Sequence, residues 1–447
     1  MKEFIEVIKN IFKIEDLRSR ILLTLALVLI YRFGSFVVLP GVDPTALDAF
    51  RSSGQGNVLG LLDMFAGGAF FRASVFALGI MPYISASIAI QLLGLAVPYF
   101  QKLQKEGESG RKKITQITRY LTVVVTAFQA IGYITFLRSI AGPEAILINP
   151  VLFAISTVVV LVAGTVFCMW LGEKITDRGI GNGISILIMV GIIAELPSSL
   201  VAEVAQRTAG AGGFIYLILE MIILLAVVVA VVLLVQGVRR VPVQYAKRII
   251  GNRQYGGVRQ FIPLRVNAAG VMPIIFAQAI MFIPSFFAQW FPDSPAMQSI
   301  NSGSFYDGFW YNFVFFIMVV VFTYFYTAIT VNPQQMAEDM KRNGGFIPGV
   351  KPGKRTMDFL DTVLSRITLP GSIFLAFVAI FPVFARMFGI NSQFANFYGG
   401  TSLLIIVGVV LDTLQQIESH LLMRHYDGLM KTGRVKGKAA ANVSSGM

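Results

Sequence analysis

Three ionisable residues lie inside apolar stretches of this chain and are the first candidates for chemistry. They are Arg32, Glu220 and Asp412. An ionisable side chain at membrane depth is costly and often serves an ion pathway or a proton relay. The alternative role is structural, because such residues also pair between helices or anchor a helix end at the interface. The sequence favours the structural role, since all three lie toward the ends of their stretches.

Residues that would support catalysis or metal binding are scarce. Cys168 is the only cysteine, which excludes an intrachain disulfide and any cysteine-based metal site. His420 and His425 are the only histidines, too few for a histidine metal centre. The run Gly179-Ile-Gly-Asn-Gly183 lacks the full spacing of a dinucleotide loop, and the sequence has no P-loop motif. We therefore predict a protein that is not an enzyme and holds no cofactor.

Three uncharged amides, Gln91, Gln129 and Asn267, also fall inside apolar stretches. Amides in a bilayer form hydrogen bonds between helices worth about 0.6–2 kcal/mol each. Such bonds are strong enough to hold helices together and weak enough to let them part. The three amides are therefore either permanent contacts between helices or part of a seam that opens.

Membrane spans are the elements that must position these residues. The chain has 447 residues, of which 55% are hydrophobic and only 14% charged, a balance that is unlike that of soluble proteins. A bilayer core about 30 Å thick needs about 20 apolar residues per helix. A short amphipathic cytoplasmic helix is predicted over 1–20. Ten predicted spans follow it, at roughly 21–39, 73–97, 118–137, 151–171, 180–196, 213–236, 262–287, 309–329, 362–384 and 398–417.

The basic residues indicate how these spans are oriented. Lys and Arg concentrate in alternate connections, and the connection 288–308 has none. Basic loops stay on the cytoplasmic side, so ten spans place both termini in the cytoplasm. A Gly-rich hinge, 208–213, separates five spans in 21–207 from five in 214–420, and a tail, 421–447, follows. An odd number of spans per half inverts one half relative to the other, and the functional path then lies between the halves.

One outer connection, 40–72, contains an apolar, Gly-rich segment at 57–68. This segment is too short to span a membrane and too apolar for an ordinary solvated loop. A re-entrant or cavity-filling segment explains its composition. A helix lying in the membrane interface is the alternative.

Two cytoplasmic connections, 237–261 and 330–356, are longer than a simple turn between helices requires. The first contains six basic residues and no acidic residue. Such a surface suits a phosphate backbone or an acidic protein face. Retention of positive charge on the cytoplasmic side is the alternative explanation, although a few bases near the span ends would already achieve it.

Several ordered strings of residues resemble one family. They are Met64–Ala69, Arg72–Ser87, Lys105–Arg111, Leu171–Ser185 and Tyr398–Ile405. Together they make nearly the whole chain similar to the SecY family, the channel subunits of the bacterial protein translocase. The resemblance implies an all-α polytopic membrane protein, with ten transmembrane helices in two inverted five-helix halves around a central hourglass pore.

The resemblance also implies a ring of aliphatic side chains that closes the pore at its waist. The matching positions are Ile80, Ile84, Ile184, Ile188, Ile275 and Ile405. Dry, branched side chains stop ions and offer no fixed polar contact to a passing polypeptide. The segment 57–71 resembles the family's plug, which sits under the ring on the outer side. Its residues here are Asn57, Leu61, Leu62, Met64, Phe65, Gly67 and Gly68.

The function that the resemblance implies is a passive protein-conducting channel in the bacterial cytoplasmic (inner) membrane. Unfolded secretory polypeptides would cross it, and transmembrane helices would leave sideways into lipid. Gln91, Gln129 and Asn267 would lie on or near this lateral gate, between spans two and three and spans seven and eight. The implied partners are the small subunits SecE and SecG, the SecA ATPase, the ribosome through its RNA, signal sequences with nascent chains, and membrane lipids.

The implied docking surface departs from the family pattern at one turn. Its residues are Arg239, Arg240, Lys247, Arg248, Arg253, Lys351 and Arg355. The turn Pro348-Gly-Val-Lys-Pro-Gly353 has Lys351 where the family usually has Arg. Lysine keeps the charge but loses the planar fork that binds phosphate or carboxylate through two hydrogen bonds. Arg355 is close enough in sequence to compensate.

Two other functions stay open. A secondary transporter would need a charged or broken-helix site at the midplane, for which only Arg32, Glu220 and Asp412 are candidates. A scaffold that only recruits ribosomes through its basic loops would tolerate glycine at the ring positions, whereas a channel would then leak ions or relax its selection of signal sequences.

Overall fold

The computed structural model is dominated by α-helices. It describes residues 14–43, 58–141, 146–208, 213–245, 248–250, 253–255, 259–278, 280–281 and 308–432. The helices are α1 (Glu15–Gly34), α2 (Val58–Ala66), α3 (Met81–Ala96), α4 (Pro98–Lys105), α5 (Glu108–Ala141), α6 (Pro150–Arg178), α7 (Gly183–Thr208), α8 (Gly213–Gln236), α9 (Phe309–Thr330), α10 (Pro333–Arg342), α11 (Lys354–Met387), α12 (Ser392–Ala395) and α13 (Gly400–Thr432). The strands are β1 (Val238–Tyr245), β2 (Arg248–Ile250), β3 (Arg253–Tyr255), β4 (Arg259–Arg265) and β5 (Gly345–Phe346).

Seven of the described helices are long and apolar enough to cross a membrane, namely α5, α6, α7, α8, α9, α11 and α13. The pair α3 and α4, which meet at a bend of 100°, is an eighth candidate. The 20-residue helix α1 carries Arg18, Arg20 and Arg32, and the seventh predicted span is described only as far as residue 281. The chain is thus a multi-pass membrane protein, and the ten predicted spans are consistent with its described part.

The outer faces of these helices support the same conclusion. α8 is apolar all round, and its only buried residues are Glu220 and Val231. Ile215, near its start, is 81% exposed. Large apolar side chains exposed along whole helices require a lipid or protein partner, because water would not tolerate such a surface.

Some boundaries differ from the predicted ones. α1 begins at Glu15 and continues without a break, so the predicted surface helix does not end at residue 20, and residues 1–13 lie outside the described part. The second span was predicted from residue 73, but residues 75–80 form consecutive turns and α3 begins at Met81. Pro82 lies in the first turn of α3, where its missing N–H costs nothing. α13 continues to Thr432, into the predicted tail.

A three-stranded antiparallel sheet in the order β4-β1-β5 is the main feature that the sequence analysis did not predict. From Arg240 to Val243 in β1, exposed and buried residues alternate: Arg240 and Pro242 are exposed, and Val241 and Val243 are buried. This alternation is expected of a strand. The predicted start of span seven at residue 262 is therefore wrong. β4 pairs with β1 through residue 265, turns follow, and helical structure begins at residue 272.

Each half has its own packed interior. In the first half, α5 packs against α3 and α6, and α6 packs against α7. In the second half, α9 packs against α11, and a cluster around Val231, Val319 and Leu404 fills the space between α8, α9, α11 and α13. The sheet forms a separate small core with α10 and α11 around Val243 and Leu360.

Helix α7 joins the two halves. It packs against α2 and α6 of the first half and against α8, α12 and α13 of the second. Just before its start, the N–H of Gly181 donates to Oε1 of Gln416 on α13 at 2.9 Å. At its other end, Arg207 forms buried ion pairs with Glu203 and with Glu220 of α8. The predicted hinge falls between α7 and α8, and its residues 209–212 lie outside the described part.

Candidate functional site

Five of the six isoleucines predicted for the ring meet in one apolar cluster, here called the ring cluster. Ile80 precedes α3 and Ile84 lies one turn later, and Ile184 and Ile188 are likewise one turn apart at the start of α7. Residues one turn apart share a face, so each pair points the same way. Ile80, Ile188 and Ile405 of α13 are buried in the ring cluster, and Ile84 and Ile184 pack against it.

Ile275 is the ring candidate that the structure does not bring into this cluster. It lies in the helical stretch 272–278 and is partly buried. Its neighbour Ile274 is fully buried in the separate cluster of the second half. Within the described residues, the ring isoleucines of this cluster therefore come from the start of α3 and from α7 and α13, and the cluster also includes residues of α1, α2, α6 and α12.

The plug candidate is the nine-residue helix α2 with the turn after it. Met64 and Phe65, at the end of α2, are buried in the ring cluster itself. Leu61 and Leu62 lie on α2, where the structure describes their backbone only, and Asn57 lies outside the described residues. The end of the short apolar segment is therefore buried among the spans, as the cavity-filling interpretation predicts, in the same apolar cluster as the ring isoleucines.

Two glycines end α2 and bring its backbone directly against α7. Gly67 and Gly68 have φ angles of 67° and 79°, in the left-handed region that favours glycine. A Cβ atom on Gly68 would lie 2.3 Å from Oε1 of Glu195 on α7. A Cβ atom on Gly191, one turn earlier in α7, would lie 2.8 Å from the carbonyl oxygen of Phe65. Side chains at these positions would force the segment away from α7.

A group of charged side chains surrounds the base of the plug candidate. Nη1 of Arg32 donates to the carbonyl of Gly67 at 2.5 Å. Arg72 and Glu195 form an ion pair at 3.5 Å. The guanidinium groups of Arg32 and Arg72 lie 4.8 and 4.4 Å from the centre of the Phe36 ring. Arg32 is a candidate from the sequence, but the ion pair of Arg72 and Glu195 was not predicted. The only sequence signal for that pair is that Glu195 lies within an apolar stretch, which does not indicate its partner.

The other two ionisable candidates are Glu220, which is ion-paired, and Asp412, which is exposed. Glu220 pairs with Arg207, which also donates to the carbonyl of Gly389 at 2.9 Å. Asp412 is exposed on α13. This arrangement agrees with the structural role that the sequence favoured and gives no support to a charged transport site.

The predicted gate amides make no hydrogen bond to one another in the described part of the chain. Nε2 of Gln91 donates at 3.4 Å to Oγ of Ser87, one turn earlier on the same helix. Gln129 is partly buried on α5. Asn267 lies in the turns after β4, and its buried Oδ1 has no hydrogen-bond partner among the described residues. Gln91 therefore does not form the interhelical bond that was predicted, because a hydroxyl one turn away is within reach.

The docking candidates converge on the unit formed by the sheet and α11. Arg239 and Arg240 are exposed on β1, Lys351 is exposed just before α11, and Arg355 is exposed in the first turn of α11. β5 pairs with the end of β1, so one sheet joins the two basic connections. The candidates Arg248 and Arg253 lie on the hairpin of β2 and β3, where only their backbone is described, and Lys247 lies outside the described residues.

Comparison with known proteins gives close relatives. The family model described as SecY matches residues 74–414. The protein translocase subunit SecY of Streptomyces galbus is 44% identical over 435 residues, which cover 94% of this chain and 98% of that protein. The protein translocase subunit SecY of Escherichia coli strain K12 is 41% identical over 427 residues, which cover 94% of this chain and 96% of that protein.

Solved structures share the fold over nearly the same length. One described as a protein conducting channel has a TM-score of 0.64 at 17% identity, covering 93% of this chain and 95% of that chain. A SecY structure whose plug domain is described as stabilising the closed state has a TM-score of 0.60 at 17% identity, with the same coverage. Sec61 from the canine ribosome-channel complex has a TM-score of 0.61 at 16% identity, again with 93% and 95% covered. Structural likeness at such low identity shows the fold alone, whereas the family model and the close relatives establish that the chain belongs to the SecY family.

Proposed function

We propose that this chain is a passive protein-conducting channel. It moves unfolded secretory polypeptides across the bacterial cytoplasmic membrane and releases transmembrane helices sideways into the bilayer. The observation that carries this proposal is the ring cluster, in which Ile80, Ile188 and Ile405 from three parts of the chain are buried in the same apolar cluster as Met64 and Phe65 of α2. The relatives named protein translocase subunits support the same function.

A ring of branched aliphatic side chains suits this task for a physical reason. An ion entering it would lose its hydration and find no polar group to replace the water, so the cost of entry is several kcal/mol or more. An extended polypeptide fills the same opening with its own side chains and meets only weak, non-directional contacts. The burial of Met64 and Phe65 in the same apolar cluster supports α2 as the plug of the resting channel.

The lateral gate is proposed to lie between α3 with α5 and the helical stretch 272–281 with α9. The polar groups near this seam have local partners or none, since Gln91 bonds within its own helix and Oδ1 of Asn267 has no partner among the described residues. A seam without strong bonds across it opens easily. A signal sequence with a core of about 7–15 apolar residues would enter there and partition toward lipid.

The exposed basic unit of β1, β5 and the start of α11 is the proposed docking surface. Its charges suit ribosomal RNA or the SecA ATPase, and the similar Sec61 fold was solved in a ribosome-channel complex. SecE and SecG are proposed as the small membrane partners that cover part of the apolar exterior, with lipid covering the rest. The basic connections support a topology with both termini in the cytoplasm.

Site-directed crosslinking of a stalled secretory chain tests the channel directly. Cys168 is the only natural cysteine and is fully buried, so an introduced cysteine is the only accessible thiol. We expect Ile84→Cys and Ile275→Cys to crosslink to the stalled chain, while Ile215→Cys on the outer face of α8 does not. Equal yields at all three positions would show that the chain does not pass through the ring, and a reaction at Ile84 without one at Ile275 would remove Ile275 from it.

A further inference from the structure

The base of the plug is defined here as residues 67–72, and its last residue, Arg72, forms an ion pair with Glu195 of α7. Both side chains are mostly withdrawn from solvent, with 19% and 15% of their surface exposed. An ion pair in this position is screened by salt far less than one at the surface. Gly68 lies directly against it, since a Cβ atom there would lie 2.3 Å from Glu195 and 2.9 Å from Arg72.

Neighbouring contacts hold Arg72 in place for this pair. A carboxylate oxygen of Asp63 on α2 accepts the N–H of Phe71 at 3.0 Å, which fixes the turn between α2 and Arg72. The ring of Phe36 lies 4.4 Å from the guanidinium carbon of Arg72, a distance at which a cation and an aromatic face attract. Because Asp63 links α2 to the residue before Arg72, movement of α2 away from the ring cluster would strain the pair of Arg72 and Glu195.

The surroundings of Glu195 make the loss of its partner unfavourable. A small open pocket lies beside it, and Asp63 and Glu195 both line this pocket together with Ser199, Gln393 and Asn396. Without Arg72, two carboxylates would face one pocket with less positive charge to balance them. Arg72 thus stabilises the position of the plug beyond the energy of its own pair.

We propose that the pair of Arg72 and Glu195 is a latch that holds the plug closed and sets how strong a signal sequence must be to open the channel. This inference rests on the proposed function of α2 as the plug. Arg72 and Glu195 are positioning residues in this scheme, because they act on the pore through α2. A strong signal sequence opens the channel against the latch, and a weak one fails.

A series of substitutions at Glu195 tests the latch by charge at nearly constant shape. The purified channel is reconstituted in vesicles, and the halide leak at rest is measured together with export of a reporter that carries a weakened signal sequence. A hydrogen bond or ion pair of a charged group is strong enough to shift a closed-to-open ratio about tenfold. We expect Glu195→Gln to raise the leak by about this factor, Glu195→Lys to raise it further and Glu195→Asp to change it little.

The matched control is Glu173→Gln, which removes an ion pair at 2.6 Å between α6 and Arg119 of α5, away from the plug. We expect this variant to behave like the natural protein. Arg72→Gln should match Glu195→Gln, and the double variant should be no worse than either, because the interaction is lost only once. The latch would be overturned if the effects of Arg72→Gln and Glu195→Gln on the leak were additive in the double variant. It would also be overturned if Glu173→Gln leaked as much as Glu195→Gln.

Deletion of residues 58–66 separates failure of the latch from failure of the plug. If the deletion variant leaks but the Glu195→Lys variant does not, α2 is the plug and the ion pair is not its latch. A deletion variant that does not leak would overturn the plug itself. Export of a reporter with a strong signal sequence shows in every variant that the channel is folded.

Discussion

At the scale of single residues, the site combines an apolar centre with polar groups that have modest local bonds. Ile188 and Ile405 offer only dispersion contacts, and Gln91 bonds to Ser87 on its own helix. Because this bond lies within one helix, it is kept when the helix moves, and it does not resist separation of neighbouring helices. The energy that keeps the proposed gate closed therefore comes from apolar packing, which an entering apolar segment replaces.

Replacement of Gln91 by Leu tests this account of the gate. Leucine adds apolar contact at the seam and removes a polar group, so it should stabilise the closed state by about 1 kcal/mol. We expect export driven by weak signal sequences to fall several-fold while strong signal sequences are unaffected, measured with reporters of graded hydrophobicity. Gln236→Leu, at the exposed end of α8, is the control. Unchanged selection of signal sequences in the Gln91 variant would remove this residue from the gate.

At the scale of elements, the docking charges depend on a small sheet for their arrangement. β1 pairs with β4 along its length and with β5 at its end, and its inward residues Val241 and Val243 contribute to a core with Met340 and Leu360. The basic residues are therefore displayed on a packed unit, and the two long connections are not independent loops. Damage to this core should disturb docking without removing any charge.

Val243→Thr is the substitution that tests this dependence. Val243 is fully buried, so the added hydroxyl should destabilise the sheet by about 1–3 kcal/mol. We expect faster hydrogen exchange in β1 and β5 and weaker ribosome binding at unchanged net charge. Val238→Thr, on the same strand but 41% exposed, should leave both measurements unchanged. Faster exchange with full ribosome affinity would show that the charges act without the sheet.

The elements also show what the sequence could and could not predict. The span predicted at 213–236 coincides with α8, because a 24-residue stretch that is apolar except for Glu220 and the terminal Gln236 permits only one solution in a membrane. β1 was missed although Val241 and Val243 alternate with outward residues, since its partners β4 and β5 are distant in sequence. The pairing of Arg72 with Glu195 was missed for the same reason. Neither residue has a local signal for its partner, and only the packing of α2 on α7 brings them together.

At the scale of the whole molecule, the two halves are joined by α7 and fixed at its far end by buried charge. Arg207 contacts Glu203, Glu220 and the carbonyl of Gly389, and the N–H of Asn391 donates to the same Glu203 at 2.8 Å. One cation thus holds α7, α8 and the segment after α11 together. The two carboxylates are buried and depend on it for compensation.

Arg207→Met should be among the most destabilising single substitutions in the chain. Removing one partner of a buried ion pair costs about 3–5 kcal/mol, because the remaining charges lose their compensation. We expect a large fall in the thermal unfolding midpoint of the purified protein. The triple variant Arg207→Met, Glu203→Gln, Glu220→Gln should recover much of it. Arg119→Met, at a half-exposed pair, should cost about 1 kcal/mol or less. A small effect at Arg207, or no recovery in the triple variant, would contradict this view of the hinge.

The two attachments of α7 have a mechanical consequence. Gln416 holds the chain just before this 26-residue helix and Glu220 holds its last turn, so about 39 Å of helix length separates the two restraints. When one half is attached to the other at two separated points, it can rotate about the line through those points, but it cannot easily tilt in other directions. The halves should therefore separate by nearly the same width at every depth of the bilayer. A transmembrane helix that leaves sideways needs an opening of even width, because an opening at only one membrane face would retain half of the helix.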